Sequence, residues 1–116
     1  MNENIFSADF WFSLRSSTRV ANTNGSLRCD HWCEDALANP VVARFFVMQS
    51  ARLGDVQIDQ YATSYLDHYW LEAYLARTIF VADGTAGQFD PRFPAGYYGL
   101  LNRASSQLTE VYSKKR

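Results

Sequence analysis

Residues 40–53 and 70–81 carry apolar side chains in nearly every direction when set at about 100° per residue around a helix axis. In the first stretch these are Val41, Val42, Phe45, Phe46, Val47, Met48 and Leu53, interrupted by Arg44 and Arg52 without forming a polar face. In the second they include Trp70, Leu71, Tyr74, Leu75, Ile79 and Phe80. A helix that is apolar all round is either central in its domain or covered by another chain. With 116 residues, this chain is one ordinary domain, too short for two independent cores, and both conditions are expected to hold.

The punctuation divides the chain into helices. Ser7 caps a first helix through Phe10, Trp11, Phe12 and Leu14, with Phe6 and Trp11 spaced as a hydrophobic staple. Asn24-Gly25 marks a turn, with a short hairpin or irregular loop near 18–28. A short helix over about 30–38 stops at Asn39-Pro40, which also starts the next one, Asn39 as cap and Pro40 at the first position. That helix ends at Gly54, and another runs from 55 or 59 to about 82, closed by Asp83-Gly84. Residues 84–94 read as a loop. A last, amphipathic helix spans about 97–112, with Tyr97, Leu100, Leu101, Ala104, Leu108, Val111 and Tyr112 on one face. The expectation is an all-α single domain, a bundle of four to five helices packed around 40–53 and 59–82, with a flexible basic tail at 113–116.

Asn39-Pro40 before an apolar helix, then Leu53-Gly54, Tyr61, Tyr65-Leu66 and Tyr69, resembles the first helices of heme-oxygenase-like and TenA-like bundles. The resemblance covers about half of this chain, and those domains are longer. No carboxylate and histidine set here matches theirs, so it implies a helical bundle and carries no ligand residues over.

Composition narrows the function classes. Hydrophobic residues make up 47% and charged residues 20%, a folded globular balance and not a disordered one. A net charge of −1 excludes a histone-like nucleic-acid coat. Charge is uneven, however. Residues 31–90 hold Arg44, Arg52 and Arg77 against eight acids, whereas 91–116 hold five basic residues against Glu110 alone. No run approaches the roughly 20 apolar residues of a membrane helix. Met1-Asn2-Glu3-Asn4 lacks the basic start of a signal peptide. The chain is therefore expected to be cytoplasmic, its two cysteines reduced.

One segment suggests metal chemistry. Cys29-Asp30-His31-Trp32-Cys33-Glu34 holds thiol and imidazole ligands of the kind zinc or iron takes, with His68 as a fourth. If the segment is helical, Cys29 and Cys33 share a face and His31 points away; if extended, all three point together. The spacing matches no standard zinc-finger pattern. A Cys33–His68 nucleophile pair or an acid–base strip of Asp67, His68 and Glu72 is conceivable, but neither forms a recognisable catalytic constellation, and no enzyme activity is expected. Gly84, Gly87, Gly96 and Gly99 follow no phosphate-loop spacing. Lys114-Lys115-Arg116 offers weak, salt-sensitive nucleic-acid affinity at most.

Aromatic residues form 16% of the chain, seven of them tyrosines, and tyrosine is enriched in protein interfaces. The expected function is non-catalytic protein binding by a small adaptor, regulator or inhibitor, through Tyr61, Trp70, Tyr74, Tyr97 and Tyr98. The partner is another protein or a second copy in a homodimer. Size and the lack of motifs place such a chain beside regulators carried by phages and other mobile elements and directed at host complexes. Metal binding through Cys29, His31, Cys33 and His68 is the alternative, and nucleic-acid binding through the basic C-terminus a further one.

Overall fold

The computed structural model describes residues 29–57 and 63–116. Two helices, α1 (Cys29–Leu37) and α2 (Pro40–Phe45), lead into a four-stranded antiparallel sheet. Its strands are β1 (Phe46–Gln57), β2 (Thr63–Leu75), β3 (Thr78–Asp83) and β4 (Tyr97–Leu100), paired in chain order. After a 3₁₀ turn at Leu101–Arg103 comes α3 (Ser106–Ser113). The fold is α+β, which overturns the expected all-α bundle. Only the helix expected at 30–38 stands nearly as read. The 40–53 helix stops at Phe45, where Phe46 turns extended at φ −109° and ψ 144°. In place of the 59–82 helix the described residues form a β-hairpin, Thr63–Leu75 with Thr78–Asp83, and the 97–112 helix divides into a strand, a 3₁₀ turn and α3. The bundle resemblance falls with them, since Leu53 lies in β1 and Tyr65, Leu66 and Tyr69 in β2. The helix from Ser7 and the hairpin near 18–28 lie outside the described residues.

The misreading has a physical cause. Successive strand residues point to opposite faces, and this sheet is covered on both. Leu71, Ala73, Phe80 and Ala82 pack beneath Trp32, Cys33 and Ala36 of α1, with Val42 and Phe46. Ala51, Trp70, Val81 and Tyr97 pack with Leu108, Val111 and Tyr112 of α3. A strand buried on both faces shows no alternation, and on a helical wheel it looks apolar in every direction. The turn between β2 and β3 hides equally well. Ala76 and Arg77 take φ of 48° and 69°, the positive values that mirror-image hairpin turns require and that Asn-Gly usually supplies. Without glycine or asparagine there, no turn residue breaks the largely apolar stretch from Trp70 to Val81 on a helical reading.

Two glycines in the segment after β3 act by close approach. A Cβ on Gly84 would sit 2.1 Å from two atoms of the Trp32 indole. Gly96 has φ of +104°, and a Cβ there would meet the Asp83 carbonyl at 2.7 Å. Asn39 caps α2 through its Oδ1, which accepts from the Val41 amide at 3.0 Å, and Ser105 caps α3 through the Leu108 amide. Beyond α3 the chain returns to the sheet. Lys115 bridges to Ala51, and the Arg116 amide donates to the Ser50 carbonyl at 3.0 Å.

Candidate functional site

Alternation along β2 places His68, Trp70, Glu72 and Tyr74 on the α3 face of the sheet. Asp83 ends β3 on the same face as Val81. His68 Nε2 and Asp83 Oδ2 are 2.8 Å apart, both side chains fully buried. The same Asp83 oxygen accepts from the Tyr112 hydroxyl at 2.7 Å, and Oδ1 accepts from the Thr85 amide at 3.2 Å. Trp70 stacks on His68 at 5.7 Å between centroids, and Phe89 meets the ring edge-on at 4.7 Å. Burial works against a charged imidazole, but the charge and hydrogen bond of Asp83, with the Cys29 thiol beside the ring, outweigh it and hold the pKa up at about 9. Burial, then Asp83, pushes the Tyr112 phenol far up, so it remains a donor. Among the described residues, His68 Nδ1 and Thr85 Oγ1 are buried with no hydrogen-bond partner.

A second network lies beside the first. Glu72 is buried and accepts from Trp70 Nε1 at 2.8 Å, from the Tyr74 hydroxyl and from Lys115 Nζ at 3.0 Å. Lys115 also donates to the Tyr74 hydroxyl at 3.1 Å, and Arg116 pairs with Asp67. These basic side chains are thus engaged with carboxylates of the sheet. Asp90 is pinned by Arg92 through two side-chain bonds of 2.9 and 2.7 Å, which hold its carboxyl well below the usual range.

The structure scatters the residues singled out for metal. Cys29 and Cys33 are free and buried on the inner side of α1, while His31 is exposed. His68 has Cys29 as its thiol neighbour. Among the described residues, no three His, Cys, Asp or Glu side chains are grouped to hold a metal ion. The strip of Asp67, His68 and Glu72 does not lie along a helix edge, because strand alternation sets Asp67 on the opposite face from the other two.

The aromatic residues chosen for a partner also separate. Tyr61 lies outside the described residues. Trp70 is fully buried and Tyr97 nearly so, the latter donating to the Leu100 carbonyl. Tyr98 is half-buried and donates to the Ala95 carbonyl. Tyr74 is 51% exposed, and so are several large apolar side chains of the 40–53 stretch, which sequence reasoning expected to be central or covered by another chain: Val41 at 51%, Val47 at 51%, Met48 at 41% and Phe45 at 36%. These wrap the corner where α2 passes into β1. Residues 40–53 include Arg44 and Arg52 and no acid, and Glu72 nearby is buried against Lys115. The corner is apolar with a basic margin. Asp83 and Tyr112 were missed as polar partners, the first because it read as a helix terminator and the second because it read as apolar face.

Comparison with known protein families, curated proteins and solved structures returns no match to this chain. Among the described residues no helix is long and apolar enough to cross a membrane.

Proposed function

We propose that this chain is a non-catalytic, cytoplasmic protein-binding domain, an adaptor, regulator or inhibitor, that docks an acidic amphipathic segment of another protein at the α2–β1 corner. The observation that carries this reading is the run of exposed apolar side chains along the α2–β1 junction: Val41 and Phe45 on α2, then Val47 and Met48 on opposite faces of β1, with Tyr74 on the neighbouring strand on the Val47 face. Burying one such side chain is worth roughly 1.5–3 kcal/mol, and contiguous exposed apolar surface marks interaction sites. The sheet otherwise covers its apolar residues on both faces. Charge selects the partner. Arg44 lies over the Phe45 ring at 5.4 Å and residues 40–53 hold no acid, so this margin favours carboxylates over a second identical patch, while the Lys115 charge is taken up by Glu72.

The test is fluorescence anisotropy with a labelled peptide alternating leucine and glutamate, against the same peptide with lysine for glutamate. Binding of the acidic peptide alone, weakened by salt and lost in Val47→Glu with Met48→Glu, supports the reading. Equal binding of both peptides, or a concentration-dependent homodimer in sedimentation that the same substitutions dissolve, overturns it.

A further inference from the structure

Cys29 is the first described residue of α1 (Cys29–Leu37). Pairing of β2 with β3 stops at Leu71↔Ala82, which leaves the preceding β2 backbone without β3 beside it. There the Cys29 thiol reaches the Asp67 carbonyl at 3.8 Å. The next residue is His68. Its ring is fixed by Asp83 on Nε2, by Trp70 on its face and by Phe89 at its edge. Nδ1 is buried and has no hydrogen-bond partner among the described residues, and the thiol that acts on the ring is that of Cys29. Asp83 is in turn held by Tyr112 and Thr85. The thiol, held at the carbonyl that precedes His68, thus stands near an imidazole that is hydrogen-bonded to a carboxylate, the residue types that activate a sulfur nucleophile.

Cys33 is an internal contrast on the same helix. It is wholly buried in the core with Trp32 and Ala36, and burial followed by the charge of Asp83 pushes its thiol up. A buried thiol of that kind is inert.

We propose that Cys29, His68 and Asp83 form a reactive-thiol site that is oxidised by a small peroxide to a sulfenic acid. Sγ gives up its proton to solvent, and the resulting thiolate is offset by the neighbouring His68 imidazolium, which Asp83 holds. The thiolate attacks one peroxide oxygen; the S–O bond forms as the O–O bond breaks, the leaving hydroxide takes the ring proton as water, and the ring regains from solvent the proton that Sγ released. Sulfur loses two electrons and the peroxide gains them, so thiol plus peroxide gives sulfenic acid plus water. Cys29 is 4% exposed, so the oxidant it takes must be small.

The experiment treats the reduced protein with hydrogen peroxide, quenches the peroxide, then unfolds the protein in dimedone and maps adducts by peptide mass spectrometry. Cys29 is expected to label roughly tenfold or more faster than Cys33, to label with peroxide while resisting the bulkier Ellman reagent, and to lose most of its rate in His68→Gln. Cys33→Ser should leave the rate unchanged. Equal labelling of both cysteines, no Cys29 adduct unless denaturant is present during the peroxide treatment itself, or an unaltered rate in a folded His68→Gln protein would overturn the proposal. The wild-type comparison of the two cysteines stands whether or not the His68 variant folds.

Discussion

His68 and Asp83 are joined by a 2.8 Å hydrogen bond between Nε2 and Oδ2, and neither side chain reaches solvent. Because the ring holds its proton up to a pKa of about 9 in the folded chain, against roughly 6.5 for an unperturbed histidine, the pair makes stability depend on pH. A raised folded pKa stabilises fully below the unfolded value and ceases to do so as pH rises through the folded one. Urea midpoints are therefore expected to fall between about pH 6.5 and 9, by on the order of 2–3 kcal/mol in stability. In His68→Gln that slope should be absent. A wild-type midpoint that stays level over this range contradicts the buried ion pair.

The turn at Ala76 and Arg77 holds two residues with side chains at positive φ, a conformation that costs about 1–2 kcal/mol for each residue with a Cβ. Replacing the pair with Asn-Gly supplies residues that adopt it readily. The variant is expected to be more stable by about 1–2 kcal/mol, raising Tm by roughly 4–8 °C per kcal/mol for a domain near this size. A variant no more stable than the wild type shows that this turn is not strained.

That same turn marks where the sequence stopped being legible. Gly, Asn and Pro announced the stop of α1, the cap of α2 and the loop after Asp83, and there local chemistry agreed with the fold. Between Trp70 and Val81 two strands and a turn carry no such residue, and both strand faces are covered, so period-2 alternation vanished. The enrichment in Tyr, Trp, Thr, Ile, Phe and Val was the remaining strand signal. Of the buried cluster, Cys29 and His68 were visible as residue types able to carry chemistry. Asp83 was not, because its partner lies 15 residues away across a strand pair. The exposed corner was half legible: the 40–53 stretch showed too much apolar surface, but which of its side chains face outward depends on the switch from helix to strand at Phe46.

Gly84 faces the Trp32 indole so closely that a Cβ would lie 2.1 Å from two of its atoms. The indole is wholly buried against Leu71, Ala82 and other core residues and has no room to retreat. Gly84→Ala is expected to destabilise the fold by about 1–3 kcal/mol, the range for overpacking a close-packed core, and to shift the tryptophan emission of the native state. An alanine variant with unchanged urea midpoint and spectrum would mean that α1 moves away from the sheet without penalty.

Lys115 reaches Glu72 only because the chain after α3 returns to pair with Ala51. Glu72 is 1% exposed, so removing the ammonium leaves a buried carboxylate with its Trp70 and Tyr74 donors but no cation. An unpaired buried charge costs several kcal/mol, but Lys115 is about one-third exposed and water replaces part of what it supplies. Lys115→Met is therefore expected to lower stability by about 1–2 kcal/mol. Adding Glu72→Gln should recover part of that loss, because a neutral amide needs no counter-charge while still accepting from Trp70. A double-mutant cycle measured by chemical denaturation separates the two contributions. If the two substitutions prove simply additive, Lys115 contributes nothing specific to Glu72 and the C-terminal residues are held by their backbone pairing alone.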